Sequence, residues 1–243
     1  MNEITTDEYT IYNEISHLGE SLWSASKEVV ALNSDPKMFS IMLFKRLWSN
    51  HRGYTILHNN ALSLEADIIL RSGLEAAICI AANYQLRDDF VNLMRRDVAF
   101  TLKGQIKVHR NAGAYDLVKD GEAELRRLVA GFPEGIKPAR LDWKLLADRG
   151  QVSHLYDFHR MLSGVSSHVT GMSVLKGIVG ADGDGSGAQD ELRILSKRIH
   201  LMMMAGATLQ GSMLHAAMID NEQHYQSAKR LVGRMNVIST TWS

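Results

Sequence analysis

The stretch from Leu64 to Leu86, LEADIILRSGLEAAICIAANYQL, constrains the fold more than any other part of the chain. Its middle, Ile68 to Ala82, is apolar or small except at Arg71, Ser72, Gly73 and Glu75. A helix that is apolar on every face is a buried one, so this stretch predicts a central helix with others packed around it. Arg71 and Glu75 stand four apart and share a face with Leu64, Ile68, Ile78 and Ala82. A charge pair on a buried helix is costly unless each partner is hydrogen-bonded. The pair therefore either ties a core together or belongs to a site. If it is buried, Arg71→Ala strands Glu75 at a cost on the order of 3 kcal/mol or more. An exposed pair costs less than about 1 kcal/mol.

The neighbouring segments carry the same helical spacing. From Asp7 to Leu32, the residues Ile11, Ile15, Leu18, Leu22 and Ala25 recur at intervals of three and four. Asn33-Ser34-Asp35-Pro36 stops that helix and starts the next, with Asp35 as N-cap and Pro36 in the first turn. The second helix runs to about His58. Beyond the central helix, further helices are predicted over Asp88–Val108, Tyr115–Val129, Leu141–Ala147, Val152–Ser163, Gln189–Met218 and Asn221–Val237. Gly131–Arg140 holds two of the three prolines and reads as a loop. Between 164 and 188 the β-branched residues Val165, Val169, Val174, Ile178 and Val179 lie among Gly and Ser, which leaves room for irregular or β structure. The expectation is all-α: one helical domain, residues 1–243, of seven to nine helices.

Composition closes off several function classes. Lys plus Arg and Asp plus Glu balance at 27 each, which argues against strong non-specific nucleic-acid binding. The one cysteine, Cys79, lies in the apolar helix, so it reads as a small core residue, and neither an intrachain disulfide nor a thiolate metal cluster is expected. The polar, acidic opening MNEITTDEYT is unlike a signal peptide. From Ile199 to Ile219 no charge occurs, yet His200, Gln210 and His215 with many Met, Ala and Gly make this a core or subunit-interface helix rather than a span. A cytoplasmic protein without membrane contact is expected.

The motifs for cofactor chemistry are missing. Gly180 to Gly187 has no Gly-Lys-Ser/Thr ending, and Arg193 stands where a calcium loop needs its glutamate. Glu14-Ile-Ser-His17 is a lone Glu-x-x-His pair, whereas a di-iron bundle needs two such pairs and two further glutamates. No metal and no cofactor is expected. What remains is histidine: His51 and His58 on one helix face, and His154, His159 and His168 around Tyr156, Arg160 and Ser163. Histidine titrates near neutral pH without heavy tuning, and a neighbouring Arg steadies charge on a phosphate. Such a set is a metal-free kit for phosphodiester cleavage. Each histidine also reads as a hydrogen-bonded polar residue of a helical core.

Two stretches together carry a resemblance. Ile69-Leu70-Arg71-Ser72-Gly73-Leu74-Glu75-Ala76-Ala77 is followed, roughly ninety residues later, by Tyr156 through Leu162-Ser163-Gly164 to His168. The pattern resembles a family of uncharacterised bacterial helical proteins, a domain of unknown function, over residues 35–215 or so. More loosely, Arg and His spacing on helices resembles the HEPN superfamily, many of whose members are dimeric, metal-independent RNA-cleaving toxins or phage-defence effectors. That family's motif is Arg, a short spacer and His, with a polar residue after the Arg. Here seven residues separate Arg160 from His168, while Arg46–His51 and Arg52–His58 lack the polar residue.

Two readings follow. On the HEPN resemblance, the chain is a homodimer acting on RNA or a nucleotide as a ribonuclease-like enzyme. His168 is then the acid/base and Arg160 the phosphate-stabilising group, with His159 beside them. Arg71, Glu75, His58, Tyr156 and Ser163 line or orient the site. On the other reading the chain is a non-catalytic helical module, an antitoxin or assembly protein with a protein partner, and Arg71–Glu75 is a core clamp. A ligand-binding sensor with a pocket between helices is a third.

Overall fold

The computed structural model describes residues 4–32, 34–133, 135–165 and 187–239, with the side chains of 165 and 187–194 outside that description. Among them are nine helices and no strand: α1 Thr6–Ser26, α2 Pro36–Asn59, α3 Ser63–Leu86, α4 Asp88–Asn111, α5 Tyr115–Ala130, α6 Trp143–Arg149, α7 Ser153–Val165, α8 Gly187–Met218 and α9 Glu222–Ser239. The all-α bundle expected from the spacing is what forms. The irregular or β segment expected near 164–188 falls almost wholly on 166–186, outside the described residues.

Helix boundaries follow local chemistry. Thr5 and Glu8 form a capping box on α1, and Asp35 Oδ1 accepts from Lys37 N at 2.7 Å to open α2. The first helix ends at Ser26, six residues before the expected Leu32. No packing extends it, since Val30 and Leu32 are 96% and 76% exposed. The short sixth helix starts at Trp143 rather than Leu141, because Asp142 caps it by accepting from Leu145 N at 3.0 Å.

The core is built on α3. Its residues from Ala76 to Asn83 are all buried, and α2, α4, α6, α7 and α8 all pack on it. Its first half is different: Leu64 and Ile68, on the Arg71–Glu75 stripe, are exposed. The all-round apolar reading therefore holds for the C-terminal half only. The uncharged stretch of α8 is core, with Leu201, Met202, Met204, Ala205, Ala207 and Leu209 buried. No described helix is long and apolar enough to cross a membrane. α8 comes close to α2 at Gly211, where a Cβ would lie 2.3 Å from Leu47 Cδ2. α1 and α9 close the bundle over α8, and α5 packs chiefly on α4.

Candidate functional site

Packing of α7 across α3 brings four polar side chains into one cluster. His159 and Ser163 are four apart on α7, as Arg71 and Glu75 are on α3, so each helix offers two groups from one face. Glu75 Oε1 is met from both sides: Arg71 Nη2 is ion-paired with it at 3.1 Å, and His159 Nε2 is hydrogen-bonded to it at 3.0 Å. Arg71 Nε donates to Ser163 Oγ at 2.8 Å, and the Ser163 hydroxyl donates to the His159 carbonyl at 2.7 Å. The side chains of Arg71 and Glu75 are 25% and 17% exposed, so the pair is neither stranded in the core nor free in water.

The electrostatics make Glu75 an anion. Burial raises its pKa, but the His159 hydrogen bond, Arg71 and the more distant Arg46 outweigh burial and hold it below the ordinary carboxylate value. A carboxylate so held is a weak base. With Nε2–H given to Glu75, the other ring nitrogen of His159, Nδ1, is buried and has no hydrogen-bond partner among the described residues. Its ring contacts those of Trp143, at 5.6 Å, and Tyr156, at 6.1 Å. Next to the cluster, Ser72 Oγ accepts from Arg46 Nη2 at 3.2 Å and Asn50 Nδ2 at 3.1 Å.

The other residues expected at a site are dispersed. Arg160 is exposed, one position on from buried His159. His168 lies outside the described residues. His58 belongs to another group, stacked on Tyr54 at 5.6 Å, with its pKa lowered by burial and by Lys197 and His200. Close to it, His200 Nδ1 meets Asp67 Oδ1 at 2.6 Å, both residues buried. His51 shares α2 with His58 but sits in the core. Burial holds its pKa at about 4, and its ring nitrogens meet Ser16 Oγ at 2.7 Å and Thr208 Oγ1 at 2.9 Å.

Two groups escaped the sequence reading. Trp143 flanks His159 and also lines a groove of about 720 Å³ with Asp97, Phe100, Val108 and Arg140; its place one residue after an Asp N-cap was a readable signal. Glu8, wholly buried, accepts Arg198 Nε on both oxygens, at 2.8 and 3.0 Å. Here the capping box was visible and the distant arginine was not. Among the described residues no three or more His, Cys, Asp or Glu gather in a metal-holding group; Glu14 of the Glu-x-x-His pair is ion-paired with Arg234. Burial pushes the Cys79 thiol up to about 12, which keeps it protonated and unreactive. Comparison of the chain with protein-family models, with curated proteins and with solved structures finds no match in any of the three.

Proposed function

We propose that this chain is a cytoplasmic, non-catalytic helical module of the interaction or regulatory kind, and that its Arg71–Glu75–His159–Ser163 cluster is a structural clamp between α3 and α7. One observation carries the reading: among the described residues, the cluster's ion pair and hydrogen bonds run from one member to another. Glu75 Oε1 is ion-paired with Arg71 and hydrogen-bonded to His159, and Ser163 accepts from Arg71 while donating to a backbone carbonyl. A nucleophilic serine needs a base to receive its proton, whereas Ser163 gives its proton to the His159 carbonyl. The HEPN resemblance points instead to RNA cleavage by Arg160 and His168.

A paired measurement decides between them. Arg71→Ala removes the ion-pair partner of a partly buried carboxylate and the donor to Ser163. Its cost falls between that of an exposed and a buried pair, at about 2 kcal/mol, and lowers Tm by about 4–8 °C. Purified wild-type chain leaves a single-stranded RNA oligomer intact, and its expression does not arrest growth. If the wild type cleaves RNA, and Arg160→Ala or His168→Ala abolishes cleavage at unchanged Tm, the module reading is wrong and the enzyme reading replaces it.

A further inference from the structure

A second polar constellation lies on the far ends of the sequence, where α1 and α9 run side by side. Glu14, His17, Leu18 and Ser21 fall on one face of α1; Gln223, His224, Ser227, Arg230, Leu231 and Arg234 fall on one face of α9. Together they line a groove of about 520 Å³, a size that suits a small molecule. Its floor is apolar, from buried Leu18 and partly buried Leu231.

The walls are polar, and their polarity is set. Asn221 Oδ1 receives His224 Nδ1–H at 2.8 Å, which makes Nε2 the acceptor of the Ser21 hydroxyl, also at 2.8 Å. Among the described lining residues Glu14 is the one carboxylate, and Arg234 is ion-paired with it. That leaves the groove with surplus positive charge. Arg230 is exposed, its guanidinium steadied by Ser227 Oγ at 3.0 Å, and His17 faces it from α1 as a further exposed donor. A planar guanidinium fork above an apolar floor matches a phosphate joined to an apolar body, since the fork binds two phosphate oxygens and the floor covers the rest.

We propose that the α1/α9 groove is a binding site for a small phosphomonoester, with Arg230 and His17 on the phosphate and Leu18 and Leu231 under the apolar part. The site goes beyond the clamp reading and shares no residue with the α3/α7 cluster, so either can fail without the other.

Phenyl phosphate tests it by isothermal titration calorimetry on the full chain, with inorganic phosphate and phenol as separate arms. Phenyl phosphate binds saturably, inorganic phosphate binds more weakly, and phenol does not bind measurably. Arg230→Ala weakens phenyl phosphate about tenfold or more, the usual scale for a lost charge-assisted contact, and Arg230→Glu abolishes binding. Arg230 is exposed, so both variants keep the wild-type melt, which circular dichroism checks. Arg71→Ala leaves the affinity unchanged. The proposal is overturned if phenyl phosphate shows no saturable binding, if phenol binds as well as its phosphate, or if Arg230→Ala binds as tightly as wild type.

Discussion

His215 shows how this bundle tolerates polar side chains in its interior. Its ring stacks on Phe44 at 4.5 Å, and its nitrogens meet Ser26 Oγ and Ser40 Oγ, each at 2.8 Å. The Ser26 hydroxyl donates to the Leu22 carbonyl, so Nε2–H donates to Ser26 and Nδ1 accepts from Ser40. That arrangement satisfies a neutral imidazole and has no place for a charge. Burial accordingly drops the pKa from 6.5 to about 3, as it drops that of His51 to about 4. In the unfolded chain both return to about 6.5 and bind protons that the folded chain refuses. Their stabilisation is complete above pH 6.5 and is lost as pH falls toward 4. Between pH 7.5 and pH 5 the loss is about 1–2 kcal/mol per histidine. The depressed Glu75 does not contribute in that window, because its share is lost only below its ordinary 4.5. Thermal melts at the two pH values check this: Tm falls on acidification, and His215→Gln removes part of the fall. An equal Tm at both would contradict it. The same residues mark where the sequence stops being legible. Arg71, Glu75, His159 and Ser163 each stood out by type and spacing, but that Glu75 meets His159 and not Arg160 depends on where α7 crosses α3. The serine and threonine partners of the buried histidines lie on other helices, far away in sequence, and no local pattern announces them.

At the scale of the helices, apolar periodicity and caps carried most of the information, because both act within one or two turns. The misjudged ends of α1 and α6 are the places where a missing tertiary contact, or a cap two residues further on, decided the boundary. Close approaches between helices are another matter: Gly211 looks like a weak point in α8, and only the packing explains it. Alanine there gains about 1 kcal/mol of helix propensity. Its Cβ, however, meets a Leu47 side chain that is wholly buried and cannot swing clear. Overpacking of this kind costs about 1–3 kcal/mol or more, so Gly211→Ala is net destabilising. Gly233, in exposed α9, has nothing within 4 Å of the added carbon. Gly233→Ala therefore stabilises by about 0.5–1 kcal/mol. Urea unfolding of the two variants gives midpoints on opposite sides of wild type. A higher midpoint for Gly211→Ala would mean that α8 and α2 are not in close contact, and a lower one for Gly233→Ala would overturn the propensity argument.

The whole molecule has a firm centre and a thin edge. α3 is held by five other helices, and α8 by α1, α2, α3 and α9, so neither opens without dismantling the core. α4 is anchored in the core by Phe90, but α5 depends on its contact with α4. Val118 is the one buried residue of α5, while Tyr115, Leu117 and Val129 are exposed. The loop after α5 is tied to α4 by Arg96 Nε to the Lys137 carbonyl at 2.9 Å and Leu141 N to Asp97 Oδ1 at 3.0 Å. These are surface hydrogen bonds, worth about 1 kcal/mol each, against a helix burying little apolar area. Local opening free energy follows the buried contacts that must be broken. Amide hydrogen exchange is therefore slowest in Ala76–Asn83 and in the Leu201–Leu209 part of α8, with protection close to global stability. α5 exchanges faster by orders of magnitude, through opening that leaves the core intact. Asp97→Ala cuts one of the loop's ties to α4 and speeds exchange in residues 135–141 and α5 without changing α3. Uniform protection across α3, α5 and α8 would show instead that the hairpin unfolds only with the core, making the bundle one cooperative unit to its edge.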